Sequence, residues 1–253
     1  DRFFYTNPLE SNGKHNRQNW SNPPCCPTNI VRFLPEIGST IYGKRDKEIY
    51  INQFIGNEAK IALGNQVVSM KMETAYPWEG TIDLNIDPER PTDLSLYIRI
   101  PGWAQGELLP GGLYHSIGAK TNPKKQVLLK INGKEVRDIL MEKGYAVINK
   151  KWKKGDKVEI ELPMQVNVVA GNPRMEDKQG QGVIMRGPLV YCIEETDNKN
   201  YFEENTETIL SSVGLTQEFK TDLLNGVGII HGNAIVSGKK ENIAITAIPY
   251  YAW

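Results

Sequence analysis

The chain has 253 residues, 40% of them hydrophobic, enough for about two packed domains of ~100–150 residues each. Thirty basic and thirty acidic side chains cancel, which removes the positive footprint of a nucleic-acid binder and any pull towards an anionic membrane. No apolar run approaches the ~18–20 residues of a membrane-crossing helix, and three cysteines imply no disulfide framework.

The opening residues, Asp1 to Pro8, show no charged leader, no apolar h-region and no initiator Met. The chain is therefore expected to begin inside a longer protein or after processing, with its compartment left open between the cytoplasm and the bacterial periplasm or exterior. Next come two adjacent thiols, Cys25 and Cys26, in Asn22-Pro23-Pro24-Cys25-Cys26-Pro27-Thr28-Asn29. Neighbouring Cα atoms lie ~3.8 Å apart, short of the ~4.4–6.8 Å that an unstrained disulfide spans, so the two are read as free thiols. Such a pair can face one soft metal ion, and a helix start favours thiolate. The alternative is a pair of small apolar side chains filling core space.

From Thr28 to Tyr42 the apolar residues Ile30, Phe33, Leu34, Ile37 and Ile41 recur at helical intervals, the only convincing helix in the sequence. Thr28 or Asn29 is expected to cap its start, Pro35 to kink it and Gly43 to end it. The residues before it form no second helix, so the partners of its apolar face are expected to precede residue 1.

From Glu48 onward the pattern is β. Ile82, Leu84 and Ile86 alternate with polar neighbours, as do Leu94, Leu96, Ile98 and Ile100. Further strands are expected at Val127–Ile131, around Val136, and at Tyr145–Ile148, Val158–Leu162, Gly182–Met185, Leu189–Ile193, Gly228–His231, Ala234–Val236 and Ile243–Ile248. Asn132-Gly133 signals a two-residue hairpin, and Lys154-Gly155-Asp156 punctuates the next pair. Short strands at this spacing predict antiparallel sandwiches, and Pro163 and Pro173 divide the run into two.

There is no phosphate-binding Gly-rich loop, no nucleophile elbow and no histidine pair at metal spacing. His15 lies close enough in sequence to join Cys25, whereas His115 and His231 fit structural or solvent roles. Each tryptophan outside the Cys25 region fits core packing better than a sugar platform.

The segments Tyr5-Thr6-Asn7-Pro8-Leu9-Glu10-Ser11, Trp20 and Cys25-Cys26-Pro27-Thr28-Asn29-Ile30-Val31-Arg32 resemble the end of the catalytic barrel in glycoside hydrolase family 127. This is the β-L-arabinofuranosidase family, formerly a domain of unknown function. Its signatures continue in order through Ala75-Tyr76-Pro77-Trp78-Glu79-Gly80, Arg99-Ile100-Pro101-Gly102-Trp103, Gly144-Tyr145, Trp152-Lys153-Lys154-Gly155-Asp156, Arg186-Gly187-Pro188-Leu189-Val190-Tyr191 and Ile248-Pro249-Tyr250-Tyr251-Ala252-Trp253.

The resemblance implies a mostly β chain with two consecutive antiparallel β-sandwich domains, preceded by the last helix of a truncated (α/α)6 barrel. Residues 1–45 would end the barrel, 46–165 form the first sandwich and 166–253 form a second, truncated one. It implies a zinc-dependent retaining glycoside hydrolase that releases β-linked L-arabinofuranose or a similar sugar from plant glycans. Cys25 would be nucleophile and zinc ligand, and Cys26 a second zinc ligand. Tyr5, Asn7, Glu10 and His15 would line the sugar pocket. The remaining zinc ligands and the acid/base glutamate would lie before residue 1, leaving this piece inactive alone. The implied partner is an oligosaccharide or polysaccharide, with no nucleic acid and no membrane, and a homodimer is an assembly it allows. Two other readings stand beside it: a non-catalytic carbohydrate-binding or scaffolding module, and a thiol-metal protein using Cys25, Cys26 and His15.

Overall fold

The computed structural model of the chain describes residues 2, 4–6, 8, 11, 13–20, 22, 24–108, 111–117, 126–203, 208–210, 214–236 and 242–253. The first part of the molecule is helical. Helix α1 (Cys25–Phe33), a 3₁₀ turn (Leu34–Glu36) and helix α2 (Ile37–Ile41) run end to end, so Pro35 interrupts the helix as expected. The start differs from expectation. Helix α1 begins at Cys25, with Pro24 in the N-cap position and no side chain capping it. Prolines suit a first turn, whose N–H groups have no intrahelical acceptor. Thr28 lies inside the helix, and its hydroxyl donates to the carbonyls of Pro24 and Cys25 at 2.9 and 3.0 Å. Gly43 does not end the helix either, because the chain turns extended at Tyr42 and Gly43 sits in a strand against the Tyr50 side chain. A second helical piece, α3 (Lys199–Glu203), was not expected.

The rest of the described chain is mostly β. In chain order the strands are β1 (Tyr42–Arg45), β2 (Glu48–Ile51), β3 (Asn57–Leu63), β4 (Gln66–Thr74), β5 (Thr81–Pro88), β6 (Thr92–Arg99), β7 (Tyr114–Ile117), β8 (Leu128–Ile131), β9 (Lys134–Glu135), β10 (Leu140–Glu142), β11 (Tyr145–Trp152) and β12 (Asp156–Glu161). Then follow β13 (Val166–Gly171), β14 (Gly182–Arg186), β15 (Leu189–Ile193), β16 (Thr208–Leu210), β17 (Thr216–Lys220), β18 (Val227–Val236) and β19 (Asn242–Pro249). They form three sheets, ordered β1-β2-β6-β11-β10, β3-β4-β5-β12-β8-β9 and β16-β18-β19-β15-β14-β13-β7, with β17 also paired to β18. Pairing is antiparallel except between β2 and β6.

The first two sheets share one core. Ile49, Leu96, Ile98 and Ile148 from one sheet meet Met70, Leu84, Ile86 and Ile160 from the other, the inward halves of alternating strands. Asn132 and Gly133 carry φ of 51° and 76°, the two left-handed residues that a tight hairpin between β8 and β9 requires. In the third sheet Ile230, Ala234, Ile245 and Ala247 pack with Ile184 and Tyr191, while Val227, Ile229 and Ile248 pack with Trp78. Strand β7, although it lies between β6 and β8 in sequence, pairs with β13. Trp78, from the connection before β5, reaches the same sheet and lies 3.2 Å from the Cβ position at Gly228, while Arg186 donates to the Trp78 carbonyl at 2.9 Å.

Asp156 anchors the first core electrostatically. It is 1% exposed, pairs with Lys150, and accepts from Asn132 Nδ2 at 2.8 Å and the Lys153 backbone N–H at 3.0 Å. Burial pushes its carboxyl up, but the Lys150 and Asn132 hydrogen bonds and the Lys153 N–H outweigh burial and bring the pKa down to about 2. A pKa below the unfolded value of ~3.9 contributes stability that is complete above that value and is lost as pH falls through 4 towards 2. We expect Asp156→Asn to cost about 2 kcal/mol at pH 7 and to flatten the pH dependence of stability between pH 4 and 2. Urea melts of both proteins at pH 3 and pH 7 check this; parallel losses at both pH values would contradict it.

Candidate active site

The two prolines flanking the cysteine pair place both thiols on the first turn of α1, and both are exposed. Hydrocarbon does not enclose them. Their sulfurs are 3.9 Å apart, too far for a disulfide. The Tyr5 hydroxyl reaches both: it lies 2.9 Å from Cys25 Sγ and accepts from the Cys26 thiol at 3.4 Å. Accepting from Cys26 leaves its own proton free to be donated to Cys25. The Tyr5 hydroxyl first, then the Cys26 thiol, and with them the backbone N–H groups of Cys26 and Cys25, hold the Cys25 thiol below the ordinary cysteine range, against the opposing effect of burial. The same hydrogen bonds push the Tyr5 hydroxyl up. Of the two sulfurs, Cys25 is the one whose thiolate form these hydrogen bonds favour.

The separation of the sulfurs also bears on metal binding. A tetrahedral ion bonded to sulfur at ~2.3 Å has sulfur atoms ~3.8 Å apart along one edge, close to the 3.9 Å between Cys25 and Cys26. The pair fits two corners of a zinc site. Among the described residues no group of three or more His, Cys, Asp or Glu side chains could hold a metal. His15 is exposed and joins no such group. Asn7 and Glu10 lie outside the described residues. Cys192 is unlike the pair: it is half-buried against the Val227, Ile229 and Ile248 cluster, and burial pushes its thiol up to about 11.

Sequence reading did not foresee what holds Tyr5. The Phe4 ring stacks on Trp253 with centroids 5.3 Å apart, and the Tyr250 hydroxyl donates to the Pro8 carbonyl at 2.9 Å. The aromatic run Tyr250-Tyr251-Ala252-Trp253 was the available signal, and it forms a 3₁₀ turn over Tyr250–Ala252. The tryptophans largely serve packing. Trp152 is fully buried, Trp78 packs on Gly228, Phe219 and Tyr251, and Trp103 packs half-buried on the first core. Trp20 is exposed. Among the described residues no helix is long and apolar enough to cross a membrane.

Comparison with known proteins bears on the whole chain. Residues 48–164 match the family described as beta-L-arabinofuranosidase, GH127 middle domain, and residues 166–253 match the glycoside hydrolase family 127 C-terminal domain. The non-reducing end beta-L-arabinofuranosidase of Bifidobacterium longum subsp. longum is 29% identical, over all of this chain and 40% of its own length. Among solved structures, a family 127 β-arabinofuranosidase matches with 35% identity and a TM-score of 0.88, and a family 127 β-L-arabinofuranosidase from Geobacillus stearothermophilus T6 with 30% and 0.80. Each match covers all of this chain and 40% of the other. The chain thus spans about two-fifths of the length of these relatives. Two consecutive family domains, matched in order along the sheets that follow the cysteine turn, make this chain a member of glycoside hydrolase family 127.

Proposed function

We propose that this chain is the C-terminal part of a zinc-dependent retaining glycoside hydrolase that releases β-linked L-arabinofuranose or a similar sugar from plant glycans. The observation that carries this reading is the exposed pair Cys25 and Cys26 on the first turn of α1, with the Tyr5 hydroxyl 2.9 Å from Cys25 Sγ. The names of its relatives, which are β-L-arabinofuranosidases, support the substrate class.

In this reading Cys25 attacks the anomeric carbon. A carbon–sulfur bond forms as the glycosidic carbon–oxygen bond breaks, and the departing oxygen takes a proton from an acid supplied by the rest of the enzyme. Water then displaces the sulfur, giving up its proton to the conjugate base of that acid, which returns the thiolate and releases the sugar with its configuration retained. Tyr5 steadies Cys25 by donating to its sulfur while negative charge resides there, and lets the bond go as the sulfur is alkylated. Zinc, held in part by Cys25 and Cys26, would supply positive charge that keeps both sulfurs as thiolates at neutral pH. Ile30, Val31, Phe33 and Leu34 on the first helical turns are exposed in this chain, and we assign that face to contact with the remainder of the enzyme. Residues 1–253 alone are expected to hydrolyse nothing, because this reading assigns the acid/base group and the remaining zinc ligands to another part of the enzyme.

Proton NMR of the sugar first released by the longer enzyme from an aryl β-L-arabinofuranoside tests the proposal. β-Arabinofuranose should appear before mutarotation. An α-sugar as the first product, or hydrolysis by residues 1–253 alone, would contradict it.

A further inference from the structure

Tyr5 lies between two residues that are tied to the opposite end of the chain. Phe4, before it, stacks on Trp253 at 5.3 Å with 27° between the planes. Pro8, after it, accepts from the Tyr250 hydroxyl at 2.9 Å. Trp253 and Tyr250 in turn stack on one another at 6.0 Å, and the Arg17 guanidinium lies 5.0 Å from the centre of the Phe4 ring. The described residues from 4 to 17 lie in no helix or extended strand, so no regular backbone hydrogen-bond pattern fixes their path. Aromatic stacking and a directed hydrogen bond, placed on both sides of one residue, restrict the backbone between them. The turn that supplies both anchors follows β19, an interior strand of the third sheet, and so rests on the buried Ala247 and Ile248.

We infer that the Pro249–Trp253 turn is a positioning element for the cysteine site. Trp253 acts through Phe4 and Tyr250 through Pro8, and together they fix the backbone that carries the Tyr5 hydroxyl to Cys25. The third sheet thereby serves the reaction through the segment that carries Tyr5. The anchoring itself stands on the contacts above; its effect on catalysis rests on the reading of Cys25 as nucleophile.

Two measurements separate these parts. In residues 1–253, hydrogen–deuterium exchange followed by peptide mass spectrometry reads the anchoring. Trp253→Ala should speed exchange across residues 4–17 by on the order of tenfold while β18 keeps its protection, and Trp253→Phe, which preserves a stacking ring, should stay near the parent. Tyr250→Phe, which deletes only the bond to Pro8, should give a smaller increase of a few-fold. In the longer enzyme, Tyr5→Phe and Trp253→Ala should each lower kcat by on the order of tenfold with KM within about twofold, and the double variant should fall no further than Tyr5→Phe alone. Unchanged exchange in Trp253→Ala would overturn the anchoring. Losses in kcat that multiply in the double variant would overturn action through Tyr5. If a Cys25→Ala enzyme kept its activity, the nucleophile assignment would fall, and exchange would still decide whether the turn holds the segment.

Discussion

Replacing Cys25 by alanine in the enzyme that carries this chain should lower kcat for an aryl β-L-arabinofuranoside by on the order of 10⁴-fold or more, with KM little changed. In the proposed mechanism this sulfur forms the bond that splits one difficult displacement into two. Serine should not rescue the enzyme, because a hydroxyl is scarcely ionised at neutral pH and is a poor partner for a soft metal ion. Cys26→Ala should behave differently. It leaves the attacking sulfur in place but removes one corner of the proposed zinc site, so bound zinc and kcat should fall together, and added zinc should restore part of both. Initial rates and zinc content measured on the same preparations check this. A Cys25→Ala enzyme within tenfold of the parent would remove the sulfur from the mechanism.

The largest loss of stability is expected at Trp152. Its side chain is 0% exposed within the first core, and its indole N–H donates to the Leu94 carbonyl at 3.0 Å, tying β11 to the neighbouring β6. The Lys150 ammonium lies 4.9 Å from its ring, so the residue also borders the Asp156 ion pair. Truncation to alanine should cost ~3–5 kcal/mol through the cavity left behind. The Leu94 carbonyl loses its donor as well, a penalty of about 1 kcal/mol. In a chain of this size the sum corresponds to a fall in Tm on the order of 10 °C or more. Trp152→Phe retains much of the apolar area and should lose only about 1–2 kcal/mol. Differential scanning calorimetry of both variants checks the order; an alanine variant melting with the parent would show that the first core does not depend on this side chain.

The strands that bury one face each were legible, because Ile82, Leu84 and Ile86 or Leu94, Leu96 and Ile98 alternate with polar neighbours, and the structure buries each of them. Asn132-Gly133 was legible as a hairpin for the same local reason, its left-handed backbone being intrinsic to those residue types. Asp156 was not. Its residue type and the preceding glycine mark a turn, but its burial depends on Lys150 and Asn132, which sequence order does not bring together. The short strand β7 carries the sequence Tyr-His-Ser-Ile without a buried face of its own, and pairing with β13 alone makes it a strand. At the cysteine site the two thiols were visible as neighbours, and a vicinal pair at a helix start speaks for itself. The helix boundary was missed by one turn because prolines at 24 and 27 look like breakers, whereas a first turn tolerates them. The anchoring of Tyr5 was beyond sequence reading, since Pro8 and Tyr250 are 242 residues apart.

The most direct measurement of the cysteine mechanism is peptide mass spectrometry of the longer enzyme, acid-quenched during turnover of a substrate with a good leaving group. One pentosyl residue should be found on the peptide containing Cys25 and Cys26, assigned by fragmentation to Cys25, and missing from the Cys25→Ala variant. A sugar carried on a carboxylate, or an active enzyme whose Cys25 stays unmodified while water attacks directly, would contradict the account.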